Sequence, residues 1–503
     1  MAQGRILVIA GSDSSGGAGL EADQKVIAAH GCYAMTATAA LTAQNTTGVF
    51  GIQVTPADFV RTQIDACFDD IPVDVVKIGM LASAETVLVV ADALRRHKVK
   101  KTVIDPVMVS TSGSHLLPED AIKVMREQLL PLATILTPNV PEAMLLLSDA
   151  GMHAEAPTSV EDLVNIAKTV QSLGPEFVLL KGGHLPLQGN GVMASVESEK
   201  EMVVDVLYGA GTYIRIDSVY QKSKNTHGTG CSLASAIASN IANGFDTNRA
   251  VKAACRYVEV GIRTAKDIGS GNGPINHFHS VYTLPFAPGR FIEYLLERPD
   301  VKGPWQKHTE HRFLEGIADG TLPVESFKNY LIQDYLYLVQ YARATALAGY
   351  KARTLDEIAT SAKVVSHIIH EMNLHIEYCN DFGVSKEQIL ATEEDEGEYV
   401  LDVGHSEDWF ALQIAMAPCL IGYGVIARRL YDDPLTKREG NTYWKWIENY
   451  VADDFVEAVR VGSDAIEKHA LLQSPSRIEE LVKIFIHATN METGFWNMGE
   501  RLG

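Results

Sequence analysis

The stretch Asn225-Thr226-His227-Gly228-Thr229-Gly230-Cys231 runs directly into Ser232-Leu233-Ala234-Ser235-Ala236, a helical run of small residues. Two glycines flanking one small residue at a helix start let successive backbone N–H groups converge on one point. The helix N-terminus adds partial positive charge, so Gly228, Thr229 and Gly230 read as an anion hole. Cys231 puts a thiol on the first turn, where the dipole is expected to lower its pKa. Such a site can hold charge on a transferring phosphoryl group and a base beside the attacking hydroxyl. Taken alone, Gly-x-Gly is better read as a turn before a core helix. The rest of the chain changes that balance.

Upstream, short β-rich apolar runs alternate with helical stretches. The runs are Arg5–Ala10, Val73–Ile78, Thr102–Ile104, Thr134–Leu136 and Phe177–Leu180; the helical stretches include Leu20–Ala29, Ala84–Arg95, Glu119–Leu130 and Val160–Leu173. This alternation predicts a mainly parallel sheet with helices on both faces and ligands at the C-terminal strand ends. Downstream, Gly269 to Arg290 is rich in Gly, Pro, Asn and His, and a domain boundary is expected there, giving domains 1–285 and 286–503. Beyond it the strand pattern stops. Phe313–Ile317, Val324–Ala348, Ile358–Tyr378, Trp409–Leu430, Thr442–His469 and Ile478–Met498 read as amphipathic helices of an all-α domain.

Composition narrows the function. Over 503 residues, 63 Asp and Glu against 43 Lys and Arg give a net charge of −20. A phosphate backbone is repelled overall, so nucleic acid is not expected as a partner. No apolar run is expected to reach the roughly 18 residues that cross a bilayer, so no membrane partner is expected either. The apolar stretch Ile6 to Ala10 reads as a first buried strand, not a signal sequence. The cysteines Cys32, Cys67, Cys231, Cys255, Cys379 and Cys419 form no CxxC pair, which suits free thiols in a reducing cytoplasm.

Several polar groups follow the predicted strands. The loop Ala10 to Gly19 is glycine-rich but lacks the Gly-Lys-Ser/Thr ending of a P-loop and the spacing of a dinucleotide fold. Asp105-Pro106-Val107 and Asn139-Val140-Pro141-Glu142 each follow a strand. Asn139 and Glu142 could hold a hydrated Mg²⁺, although Asn139 by itself is better read as a helix cap. Lys181 could meet nucleotide phosphates or be a solvated strand end.

In this order, these segments resemble the ribokinase-like superfamily. They look most like hydroxymethylpyrimidine/phosphomethylpyrimidine kinases, from Ile6 to about His279. The resemblance also rests on Leu41 to Asn45, Val76 to Leu81, Asp105 to Met108, Thr137 to Asn139 and Val178 to His184. It implies an aminopyrimidine ring held by Gly11, Asp23, Gln44, Met80 and Val107. Cys231 would be the base or anion-site residue at the hydroxymethyl group. Asp105, Asn139 and Glu142 would serve Mg²⁺-ATP, and Lys181 its phosphates. Two successive transfers would give the monophosphate and then the diphosphate. A pyridoxal-type kinase is the runner-up.

In the helical half, Asp334, Cys419 and Glu492 sit among aromatics. Each has a duller reading, as a solvated face or a packed thiol; together they could form a nucleophile with its proton shuttles. His367, Glu371 and His375 share a face, and His370-Glu371 mimics a zinc motif, but the spacing suits a hydrogen-bonded stripe better. From Trp305 to Met498 this half resembles the thiaminase-II family. The match includes His311 to Leu314, Gly320 to Pro323, Gln333-Asp334-Tyr335, Tyr341-Ala342-Arg343, Pro418 to Tyr423 and Phe495-Trp496. The resemblance implies Cys419 as nucleophile on the pyrimidine, Asp334 on the amino group and ring nitrogen, and Glu492 as proton donor. Tyr337, Tyr423 and Tyr443 would line the pocket. Thiamin or an aminomethylpyrimidine would be hydrolysed to hydroxymethylpyrimidine, in a homo-oligomer. Glu393 to Glu398 runs straight into Tyr399-Val400-Leu401-Asp402, so a segment usual in the family is shortened. The competing expectation is a catalytically inactive helical assembly module.

Overall fold

The computed structural model describes residues 3–108, 118–183, 185–188, 192–391 and 398–500. The chain divides into two compact units, Met1–Val281 and Tyr282–Gly503. The division falls inside the Gly- and Pro-rich stretch, slightly ahead of residue 285.

The first unit is built on one sheet. Its strands are β1 (Arg5–Gly11), β2 (Tyr33–Asn45), β3 (Gly48–Val54), β4 (Val75–Ile78), β5 (Thr102–Ile104), β6 (Ile135–Leu136), β7 (Phe177–Leu180), β8 (Met202–Gly209) and β9 (Thr212–Val219). The order is β3-β2-β1-β4-β5-β6-β7-β8-β9. From β2 to β7 all neighbours run parallel. The antiparallel strands β3, β8 and β9 close the two edges.

Strand β1 shows why the sheet sits between two helical layers. Leu7 and Ile9 pack into one core, with Val60, Val90, Leu146 and Ile166. Ile6 and Val8 pack into the other, with Val26, Leu233, Ile237 and Val251. All four strand residues are fully buried. Alternate side chains point to opposite faces, so a strand apolar on both must be covered on both.

In the helical unit the expected helices appear with small shifts of their ends, except that Thr442–His469 is two helices, Trp444–Val451 and Asp453–Ala470. Ala452 between them is extended, with ψ near 150°. Asp453 and Asp454 then open the second helix, where negative charge is favoured. The helix Trp409–Asp432 corrects the expectation about apolar runs. It is long and apolar enough to cross a membrane by length and composition, with mean hydropathy 1.8. Of its most apolar window 72% is buried inside the unit, which marks a core helix. Its inner face packs against Phe291, Ile478 and Phe485.

Candidate functional site

The parallel strands end at a cavity of about 640 Å³, an ordinary size for a small-molecule site. Ala10 and Gly11 close β1, Gly79 and Met80 follow β4, and Asp105 and Val107 follow β5. Asn139 follows β6 and Lys181 follows β7; all of these line the cavity. Across from them stands the helix Thr229–Ala242, with Thr226 to Cys231 on the wall.

Local geometry at that helix start depends on glycine. Gly228 has φ +77°, and a Cβ there would lie 1.9 Å from the Gly17 carbonyl oxygen. Only a residue without a side chain lets the two loops touch. Gly230 faces the opposite way. A Cβ on it would stand 3.3 Å from both Asp105 Oδ2 and Lys181 Nζ. The anion-hole loop therefore meets the loop after β1 on one side and a charged cluster on the other.

That cluster is centred on Lys181. Its ammonium lies 2.8 Å from Asp105 Oδ1 and 3.9 Å from Glu142 Oε2. Thr137 Oγ1 donates to the same Asp105 oxygen at 3.1 Å. Asn139 and Glu142 form a reciprocal cap on the helix Val140–Asp149, so Asn139 has the structural role that its position alone suggests. Burial raises the Glu142 carboxyl above its usual range, with Lys181 opposing. A lysine thus stands between the carboxylates expected to hold Mg²⁺. Among the described residues no group of three or more His, Cys, Asp or Glu could hold a metal ion. Asp105 Oδ2 faces the space left by Gly230. The donor set fits an ion that arrives on a nucleotide and keeps its waters, not a resident metal cage.

At the other end lie Gly11, Gln44, Met80 and Val107. Met80 Cε would be 2.2 Å from a Cβ on Gly11, so the methionine closes over the bare backbone. Asp23 is a correction. It does not line the cavity: it is fully buried beneath it, holding Lys77 Nζ at 2.9 and 2.8 Å and Ser235 Oγ at 2.7 Å. A carboxylate with both oxygens committed in the core cannot also reach a ring. Lys77 itself reaches the floor of the cavity. Cys231 is a second correction. Burial pushes its thiol up to about 12, against the favourable charge of Lys77 and an N–H bond from Gly19. Desolvation outweighs the helix dipole here.

Two polar residues of this wall are unforeseen. Asp13 Oδ2 lies 2.8 Å from His227 Nε2 and also accepts N–H bonds from Gly17 and Ala18. Its pKa is lowered to about 2 although burial opposes this, because bonds from His227 and Ser15 prevail. The residues were visible in the motifs, but nothing in their spacing shows that a loop after β1 meets a loop more than 200 positions later.

The helical unit gathers its candidates from three helices: Asp334 from Val324–Lys351, Cys419 from Trp409–Asp432 and Glu492 from Pro475–Glu500. Tyr337 links two elements, donating to Glu492 Oε1 at 3.4 Å and hydrogen-bonding Cys419. Burial first, then the charge of Glu492, holds the Cys419 thiol well above its usual pKa. Tyr341 and Tyr450, not foreseen, belong to the same electrostatic cluster, as does Tyr423. Tyr337, Tyr399, Tyr423, Glu492 and Phe495 surround a void of about 30 Å³. Tyr399 thus shares a void with Tyr337 and Glu492, while Cys419 and Asp334 do not line it; residues 392–397 of the shortened segment lie outside the described ones. Tyr443 is a correction: 1% exposed, it donates its hydroxyl to the Leu322 carbonyl, packs tilted against Phe327 and stacks on Phe382. The side chains of His367, His370, Glu371 and His375 lie outside those described.

A parallel sheet whose strand ends bear a lysine–carboxylate cluster opposite a glycine-opened helix N-terminus is built for phosphoryl transfer. Residues 13–276 match the phosphomethylpyrimidine kinase family, and residues 298–502 match the TENA/THI-4/PQQC family. A Schizosaccharomyces pombe relative is 44% identical over 97% of this chain and 90% of its own. A hydroxymethylpyrimidine/phosphomethylpyrimidine kinase of Saccharomyces cerevisiae is 33% identical over 98% of this chain and 94% of its own. A crystal structure of a phosphomethylpyrimidine kinase from Clostridium difficile covers 51% of this chain and 98% of its own, at 38% identity and a TM-score of 0.42. The chain belongs to the family of hydroxymethylpyrimidine/phosphomethylpyrimidine kinases that carry a C-terminal TENA/THI-4 domain. It is an ATP-dependent kinase of thiamin biosynthesis joined to a thiaminase-II-type domain. End-to-end likeness to such chains does not favour a pyridoxal kinase with an inactive helical module.

Proposed function

We propose that the first domain phosphorylates 4-amino-5-hydroxymethyl-2-methylpyrimidine to its monophosphate and then its diphosphate, and that the second supplies this pyrimidine by hydrolysis. Supporting the first half is one observation above all: a single cavity carries Gly11, Gln44, Met80 and Val107 at one end and the anion hole, Lys181 and Asp105 beside them. The ring lies against Met80 and Val107 with its polar edge on Gln44. The hydroxymethyl oxygen then points at Gly228 to Cys231. It attacks the terminal phosphorus of ATP, the bond to the bridging oxygen breaks and ADP leaves, the hydroxyl proton passes to Cys231 once that thiol has ionised, and the N–H groups of the anion hole stabilise the charge on the transferring oxygens. Lys181 contributes a point charge to the nucleotide phosphates. The apolar far end, with Val203, Val219, Val258 and Ile262, takes the base.

Mg²⁺, when bound, would neutralise phosphate charge; Asp105 Oδ2 and Glu142 are the groups that would hold its waters. Cys231 begins as a neutral thiol, so in the free enzyme it serves as a hydrogen-bonding group. Its proton is lost only when the charge around it changes on substrate binding.

In the second domain, Cys419 adds to the pyrimidine ring of thiamin or an aminomethylpyrimidine, Asp334 holds the ring's polar edge, Glu492 protonates the departing thiazole or ammonia, and water then adds at the freed exocyclic carbon as the C–S bond breaks and Cys419 is released. The protein works as a cytoplasmic homo-oligomer. Product chromatography tests both halves, using thiamin or the aminomethylpyrimidine with and without Mg²⁺-ATP. Free hydroxymethylpyrimidine without ATP, its phosphates with ATP, and neither from Cys419→Ala are the expected results. Phosphorylation of added hydroxymethylpyrimidine with no pyrimidine release from either compound refutes the hydrolase half.

A further inference from the structure

The Asp13–His227 pair carries a consequence for Gln44. A carboxamide presents a donor and an acceptor that differ only by a half-turn, and its orientation follows from the surrounding protons. With Oε1 placed 3.2 Å from Thr42 Oγ1 and Nε2 placed 3.3 Å from His227 Nε2, both contacts are starved of a correct proton. Thr42 has one hydroxyl proton, and it is donated to the Ser12 carbonyl at 2.8 Å. It has none left for Oε1. His227 Nε2 faces the Asp13 carboxylate at 2.8 Å. Asp13 is ionised above pH 2 or so, so that nitrogen carries the proton and cannot accept one from the amide.

Turning the amide over removes both conflicts. Its NH₂ then donates to Thr42 Oγ1, and Oε1 lies beside a His227 N–H whose proton Asp13 takes, so that contact is no longer donor against donor and the oxygen keeps its lone pairs for the ligand. The two arguments are independent and agree.

The geometry points to Thr42 and the Asp13–His227 pair as positioning residues that fix the polarity of the Gln44 amide and thereby select a 4-aminopyrimidine over a 4-oxopyrimidine. In that orientation the ligand meets an acceptor on the His227 side and a donor on the Thr42 side. A 4-aminopyrimidine offers the complement, an amino donor next to a ring-nitrogen acceptor. The 4-oxo ring, with a ring N–H next to a carbonyl, offers the reverse. It is rejected only if the amide cannot turn. His227 and Thr42 are buried and well packed, so the amide is held from both sides.

This inference rests on Gln44 contacting the ring, and the test separates the two. Dissociation constants of the 4-amino ring, its 4-oxo analogue and ATP are measured by calorimetry on the full chain. His227→Leu leaves Asp13 its N–H partners at Gly17 and Ala18, and Thr42→Val is nearly isosteric. Each should lower the amino-over-oxo ratio by about tenfold or more, with ATP affinity unchanged, and Thr42→Ser should keep the wild-type ratio. A general packing defect would weaken both rings alike and leave the ratio intact. An unchanged ratio in both variants, with pyrimidine affinity still lost in Gln44→Ala, overturns the polarity lock. Unchanged pyrimidine affinity in Gln44→Ala overturns the ring contact itself.

Discussion

The two sites of this chain are built by opposite means. The kinase cavity is roomy, about 640 Å³, and its walls are strand ends, loops and a helix terminus whose polar groups are paired in advance: Lys181 with Asp105, Lys77 with Asp23, and His227 hydrogen-bonded to Asp13. The helical domain offers only a void of about 30 Å³, and its candidate groups are side chains of long helices packed among tyrosines. Cys231 and Cys419 both have raised pKa values, chiefly through burial. Their next influences differ in sign. Lys77 favours the thiolate of Cys231, whereas Glu492 opposes that of Cys419. Both thiols are neutral in the free protein; the backbone-built site sets a cation beside its thiol, and the helical site sets a carboxylate beside its own.

The largest effect that would sharpen this contrast is expected at Cys419. Replacing it by Ala should lower pyrimidine release by at least about a thousandfold while phosphorylation of added pyrimidine continues; loss of both activities would mean that the sites are not independent. Next is the buried pair below the cavity. Lys77→Met strands Asp23 in the core, and unfolding by denaturant should show a loss of about 3–5 kcal/mol. The double variant Lys77→Met with Asp23→Leu should recover much of it. If the single variant is as stable as wild type, charge pairing is not what organises the kinase floor.

Cys231→Ala should lower kinase turnover by about a hundredfold or more without unfolding the domain; turnover near wild type would remove the thiol from the chemistry. The smallest effect concerns Asp13. Its folded pKa is depressed to about 2 from 3.8. Its contribution, about 2 kcal/mol, is therefore present above pH 4 and lost as pH falls towards 2. In acid titrations Asp13→Asn should lack this part of the wild-type slope, and identical slopes would count against a hydrogen-bonded Asp13 carboxylate.

Much of the fold was legible. The five predicted strands of the first half exist, because fully buried parallel strands are continuous apolar runs that local composition reveals. Strand β2 is not evident in the sequence: Ala34 to Ala43 is alanine-rich, with threonine as its only β-branched residue type, and pairing with β1 and β3 makes it a strand. The hairpin of β8 and β9 was also hidden. Its turn uses Ala210 at φ +51° and Gly211 at φ +76°, and alanine is not a residue that signals such a turn.

The sequence by itself determined the two-domain plan, the glycine-opened helix at Gly228 and the identities of the thiols, because each is written in residues close along the chain. Tertiary structure alone decided which polar groups meet ligand and which meet each other. Asp23 lies under the cavity because Lys77, 54 positions away, holds both its oxygens. Tyr443 joins the core because the Leu322 carbonyl, 121 positions away, takes its hydroxyl. Asp13 and His227, 214 positions apart, become one unit only where two loops touch. Periodicity and local motifs report on neighbours in sequence, and a buried polar group finds its partner across the fold.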